Sequence, residues 1–161
     1  MLASRFVNTS PLVFLARENL LEILQEGALE VVVPQPVIEE IRGHGPNDLT
    51  VKAIQGVPWF KIVPAPPIAP AVGLWDMGPG ESAVLSLALA ETGSWAVIDD
   101  WEARRCARSL GIPFIGTLGL ILLAKQIGRI PAARPVVEHL RTSGMYLSDA
   151  VIDEALARVG E

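Results

Sequence analysis

Apolar and polar positions alternate along the chain in blocks that read as strands and helices in turn. Phe6-Val7 is a short apolar run ending at Asn8-Thr9-Ser10-Pro11, where Ser10 can cap a helix and Pro11 suits its first turn. Apolar residues then recur at Leu12, Leu15, Ala16, Leu20, Ile23 and Leu24, a stripe that predicts one helix from Leu12 to Gln25, stopped by Gly27. Glu30 to Val33 contains three consecutive valines without polar alternation, the pattern of a strand buried on both faces. Beyond Pro34 a helix is expected from Pro36 to Arg42, broken by Gly43, Gly45 and Pro46. A short helix over Asp48 to Gln55 and a strand over Trp59 to Val63 follow. Five prolines between residues 64 and 80 fix backbone angles and remove donors, so a loop is predicted there.

The same alternation continues to the end. Glu81 to Glu91 reads as a helix, Trp95 to Ile98 as a strand, Glu102 to Leu110 as a helix and Phe114-Ile115 as a brief strand. Helices over Leu118 to Gln126, Ala133 to Thr142 and Ser148 to Val159 complete the chain. Apolar strands alternating with helices imply a parallel sheet covered on both faces. The expected fold is α/β, a three-layer α/β/α domain with a central, mainly parallel sheet.

Length and composition narrow this further. At 161 residues the chain suits one domain spanning 1–161, its core over about 5–142 and a C-terminal helix over about 148–159. Half the residues are apolar and mean hydropathy is +0.39, which excludes disorder. The oiliest stretch, Phe114 to Ala124, contains Gly116, Thr117 and Gly119 and is shorter than the roughly 20 residues of a membrane span. No export signal is visible at the N-terminus, and the expectation is a cytoplasmic protein without membrane contact. Cys106 is the only cysteine and His44 and His139 the only histidines, so an internal disulfide and a Cys/His zinc cluster are both excluded.

Charge is uneven. Residues 1–100 hold 5 Lys/Arg against 12 Asp/Glu, whereas residues 101–161 hold 8 against 6. Arg104, Arg105 and Arg108 fall in the basic part, Arg104 and Arg108 at helical spacing on one face. They can touch phosphates, although net acidity argues against broad coating of nucleic acid.

Parallel sheets bind ligands at the carboxyl ends of their strands. Asn8 stands at the end of the first predicted strand and Asp99-Asp100 at the end of the WAVI strand. Glu40 lies on the helix after the second strand, and Glu81 in the first turn of the helix after Gly78-Pro79-Gly80. If they converge, these carboxylates and one amide make an oxygen-rich pocket suited to Mg²⁺ or Mn²⁺. Each also has a local explanation. Glu81 suits the positive end of a helix, one of Asp99 and Asp100 can cap the next helix, and only one of Glu39 and Glu40 can face inward. The four tryptophans read as core or rim, and Cys106 as core.

The segments VNTSPLVFLA, VVVPQPVIEEI, GPGESAVLSLALA and AVIDDWEARRCARSLGIPFIGTLGLILLAK, in that order, resemble the PIN-domain superfamily over most of residues 6–142. The likeness is closest to a largely uncharacterised prokaryotic branch. The resemblance implies a Mg²⁺- or Mn²⁺-dependent ribonuclease, with the acidic site on Asn8, Glu40, Glu81 and the Asp99-Asp100 pair. Asn8 stands where typical members carry Asp, which removes one negative charge from that site. Thr9 and Ser10 match the family's hydroxyl positions and are expected to orient the metal's water shell. The implied reaction is attack of an activated water on a single-stranded RNA phosphodiester, with Arg104, Arg105 and Arg108 on the backbone. Many such domains are toxins held by a small antitoxin protein, and many are homodimers. A weakened domain that binds RNA or protein without cutting is the alternative.

Overall fold

The computed structural model describes residues 2–161. The chain divides into two compact units, one ending at Gly116 and one running from Thr117 to Glu161. The first contains β1 (Ala3–Val7), α1 (Thr9–Arg17), a 3-10 turn (Leu21–Gln25), β2 (Ala28–Pro34), α2 (Gln35–Arg42), α3 (Leu49–Gln55) and β3 (Phe60–Val63). It continues through α4 (Pro70–Gly73), α5 (Pro79–Ala90), β4 (Trp95–Val97), α6 (Trp101–Ser109) and β5 (Phe114–Ile115).

The five strands form one sheet in the order β3-β2-β1-β4-β5, every pair parallel. Val7, Val31, Val32, Val33, Ala96 and Val97 are all buried, so consecutive residues on both faces of the sheet are covered. This is why the sequence shows no alternation there, and helices flank the sheet as an α/β/α arrangement requires. Strand order reverses at β1, with β2 and β3 on one side and β4 and β5 on the other. Such a reversal opens a crevice at the carboxyl ends of the two strands that part there. Val7 pairs with Val97, and the Asn8 amide N–H donates to the Val97 carbonyl at 3.1 Å. The residues following β1 and β4 therefore emerge side by side.

Two elements differ from the sequence pattern. The helix expected over Leu12 to Gln25 ends at Arg17, because Asn19 adopts the left-handed conformation (φ 56°) and the chain resumes as the 3-10 turn. The apolar stripe continues through the break, so periodicity alone hides it. The Arg5 guanidinium, reaching out of β1, donates to the carbonyls of Ile23 and Leu24 at 3.1 and 3.0 Å and fixes that turn. Burial lowers the Arg5 pKa, partly countered by the charge of Glu26. In the proline-rich loop Pro70 starts the single-turn α4, a position where its missing N–H loses nothing. Cys106 is fully buried on α6 and burial raises its thiol pKa, which makes it a core residue and a poor nucleophile.

The second unit consists of α7 (Thr117–Gln126), α8 (Arg134–Thr142) and α9 (Asp149–Ala157). Leu120, Ile121, Leu140, Ile152 and Leu156 are buried in it. The Glu161 carboxylate accepts the amide N–H groups of Ala133 and Arg134 at 3.0 and 2.7 Å, supplying the first turn of α8 with the cap its own sequence lacks. Among the described residues no helix is long and apolar enough to cross a membrane.

Asp48 caps α3, accepting the N–H groups of Thr50 and Val51 at 2.8 and 3.3 Å. Desolvation pushes its carboxyl pKa up, but these donors and His44 outweigh it, and the net shift is downward. A carboxyl depressed on folding stabilises the fold above its unfolded pKa, and that contribution is lost as pH falls through the folded value. Asp48→Ala is expected to destabilise the protein by about 1 kcal/mol at neutral pH. In urea titrations the gap between the two proteins should close as the pH drops below the ordinary aspartate range.

Candidate active site

Glu40, Glu81 and Asp99 each reach the residues that follow β1. Asn8, at the end of β1, is 2% exposed, and its side-chain amide donates to Glu81 Oε1 at 3.1 Å. Thr9, the first residue of α1, donates its hydroxyl to Glu40 Oε2 at 2.5 Å, and the backbone N–H of Gly80 donates to Glu40 Oε1 at 3.0 Å. Ser10 donates to Asp99 Oδ2 at 3.1 Å, while Arg104 brings its guanidinium within 3.6 Å of Asp99 Oδ1. Three consecutive residues, Asn8, Thr9 and Ser10, thus each hold a different acid, contributed by α5, α2 and the end of β4. Thr9 and Ser10 act here on carboxylates directly. Of the adjacent glutamates, Glu40 turns inward and Glu39 is exposed.

The turn before α5 is shaped around these carboxylates. A Cβ on Gly80 would lie 2.7 Å from Glu40 Oε1 and 2.9 Å from Asn8 Oδ1, and one on Gly78 would lie 2.9 Å from Glu81 Oε2. Pro79 between them starts the helix. In the sequence Gly-Pro-Gly-Glu each glycine therefore leaves room for an acid, and the helix N-terminus stabilises the negative charge gathered there. Gly116 does the same for the other acid: a Cβ there would lie 2.0 Å from Arg104 Nη2 and 3.0 Å from Asp99 Oδ1. Gly78, Gly80 and Gly116 were not legible as site residues. Their signal is the glycine placed beside a carboxylate whose partner is distant in sequence.

The three arginines of α6 face two ways. Arg104 also donates through Nε to the Ile98 carbonyl at 3.2 Å, and it shares the ring of Phe114 with Arg108, at 6.0 and 5.6 Å from the centroid. Arg105 pairs with Glu102 at 3.0 Å and lies 5.6 Å from the ring centroid of Trp75.

Two buried acceptors in this region, Asn8 Oδ1 and Asp100 Oδ1, receive no hydrogen bond from the protein. An uncompensated buried acceptor costs about 1–3 kcal/mol, and a cation relieves it. Among the described residues no three His, Cys, Asp or Glu side chains gather closely enough to cage a metal by themselves. Glu81 instead meets the Asn8 amide, and Glu40 Oε1 and Asn8 Oδ1 both border the same glycine, Gly80. The donors are all oxygen, which fits a hard divalent ion such as Mg²⁺ or Mn²⁺ and excludes a soft one.

The chain matches the model of a family described as a PIN domain over residues 5–161. It belongs to the PIN-domain family. PIN domains have a nuclease-type fold and generally use divalent metals, in keeping with the oxygen-only donor set found here. No curated protein matches the chain.

Asn8 decides how this PIN domain's site is balanced. Asn8→Asp replaces the hydrogen bond to Glu81 with a third carboxylate, so the protein is expected to lose about 1–3 kcal/mol of stability in EDTA. Millimolar Mn²⁺ should restore the loss, because binding to the folded state alone raises its stability by mass action. Thermal unfolding with and without Mn²⁺ checks both. Equal melting of the two proteins in EDTA would show that the Asn8–Glu81 bond is immaterial.

Proposed function

We propose that the protein is a divalent-metal-dependent ribonuclease that hydrolyses phosphodiesters of single-stranded RNA, with the pocket of Asn8, Glu40, Glu81, Asp99 and Asp100 as its catalytic centre. The observation that carries this reading is the pair of buried acceptors without a donor, Asn8 Oδ1 and Asp100 Oδ1, in the region where Glu40, Glu81 and Asp99 are each held by a donor. Glu40, Glu81, Asp99 and Asp100, with the Asn8 oxygen, would hold Mg²⁺ or Mn²⁺. Bound there, the ion supplies an activated water and neutralises charge developing on the phosphate.

The protein's own part is positioning. Thr9 and the Gly80 N–H keep Glu40 in one orientation, Ser10 and Arg104 do so for Asp99, and Asn8 does so for Glu81. Arg105 and Arg108, more loosely held than Arg104, are the side chains of α6 placed to take backbone phosphates. Such contacts orient a strand without reading its sequence. In a toxin–antitoxin setting, the antitoxin would block this pocket by offering Arg or Lys to the carboxylates, and the unit acting would be a homodimer.

A second reading has one observation in its favour. The Asn8 amide already satisfies Glu81 with a hydrogen bond where a further negative ligand would otherwise attract a cation. In that case the domain binds RNA or protein without cutting.

The test is cleavage of labelled single-stranded RNA with Mn²⁺ or Mg²⁺, in wild type and in the Glu81→Gln/Asp99→Asn double variant. Cleavage should require the metal and stop on chelation with EDTA, and it should fall at least about 100-fold in the variant. Persistent cleavage in EDTA, or equal rates in the two proteins, would refute the reading.

A further inference from the structure

Trp101 is the first residue of α6 and directly follows Asp99 and Asp100, yet it is 66% exposed. A tryptophan ring left in water forgoes the burial that makes it valuable in a core. One isolated exposed apolar residue needs no explanation. Trp101 is not isolated. Arg105 follows it at i+4 on the same helix face, and the Arg105 guanidinium lies 5.6 Å from the ring centroid of Trp75, whose neighbour Leu74 is 87% exposed. Arg104 and Arg108 face Phe114 instead, so α6 separates its arginines into a pair packed on that ring and one placed over Trp75. The Arg105–Glu102 pair is half exposed on both sides, and such pairs contribute little and exchange readily.

We infer that Trp101, together with Arg105 and Trp75, forms a platform on which an unpaired base of single-stranded RNA stacks beside the acidic pocket. This rests on the ribonuclease reading for the choice of RNA as occupant. The chemistry of the platform points the same way. An exposed indole offers a π-face to any base, and a guanidinium held over the neighbouring indole of Trp75 offers charge to the adjoining phosphate. The location gives the platform a use, since Trp101 is the next residue after Asp100, about 3.8 Å along the backbone. A base held on Trp101 brings its own sugar–phosphate linkage to the carboxylates. It also restricts the substrate to unpaired strands, because a base within a duplex has no free face. Base identity is not selected, since stacking tolerates all four.

The experiment is fluorescence anisotropy with a short dye-labelled single-stranded RNA in EDTA, where no metal-dependent cutting occurs. Wild type, Trp101→Ala, Trp101→Phe and Arg105→Ala are compared, and the first two also on an oligomer of abasic sites. Trp101→Ala should weaken binding of RNA roughly tenfold, within the range of stacking losses on alanine substitution. Trp101→Phe should retain most of the affinity, Arg105→Ala should weaken binding less than Trp101→Ala, and the abasic strand should bind wild type and Trp101→Ala equally. Exposure of Trp101 predicts unchanged thermal stability in its variants. Unchanged RNA affinity in Trp101→Ala would overturn the proposal, as would an equal loss on the abasic strand or no RNA binding by wild type. A switch from dimer to monomer in Trp101→Ala, with RNA affinity intact, would also overturn it by assigning the patch to a second copy of the chain. Cleavage in Mn²⁺ separates the two ideas. If wild type cuts while Trp101→Ala binds and cuts equally well, the platform fails and the nuclease stands. If binding depends on Trp101 but nothing is cut, the platform stands and the nuclease reading fails.

Discussion

Gathering carboxylates at one edge of a sheet is the constraint on which the rest of this structure depends. Like charges in a partly buried crevice repel, so each acid needs a donor held rigidly against it. The chain provides these donors from the tripeptide Asn8-Thr9-Ser10, from the N–H of Gly80 and from Arg104. Parallel pairing of β1 with β4 brings the tripeptide and Asp99 side by side, and α2 and α5, well separated in sequence, deliver the two glutamates. The glycines at 78, 80 and 116 allow the close approach this needs. Sheet order, turn composition and hydroxyl placement all follow from the same requirement.

On the proposed ribonuclease reading, the helix after β4 connects that constraint to substrate binding. A buried, unpartnered acceptor and an exposed indole stand in direct succession at its start, Asp100 and Trp101, and its first turn adds Arg104, which restrains Asp99. A strand of RNA crossing this point would meet stacking surface, cationic side chain and carboxylates within two helical turns. On that reading one short element couples recognition of an unpaired base to presentation of a phosphodiester.

Much of this was legible from the sequence. Apolar, non-alternating strands between helical stripes gave the parallel sheet, and strand-end polar residues gave Asn8 and Asp99-Asp100 as neighbours. Local pattern leaves Glu39 and Glu40 open and the family resemblance implies Glu40, which the structure turns inward. The break at Asn19 was invisible because the apolar stripe runs through it, and only the left-handed backbone ends the helix. The roles of Gly80 and Gly116 were hidden for another reason. Each depends on a side chain from a separate element, Glu40 and Arg104, whose proximity arises only on folding. The tryptophans read as core or rim because composition cannot distinguish a buried indole from one left in water, and Trp101 proved to be the exposed kind.

The central claim is that the pocket around Asn8 is a working cation site despite its amide. Calorimetric titration of the wild-type protein with Mn²⁺ tests it most directly, with Glu81→Gln/Asp99→Asn as the comparison. The account predicts saturable binding to the wild type that disappears in the variant. No binding at millimolar Mn²⁺, or equal binding by both proteins, would contradict it.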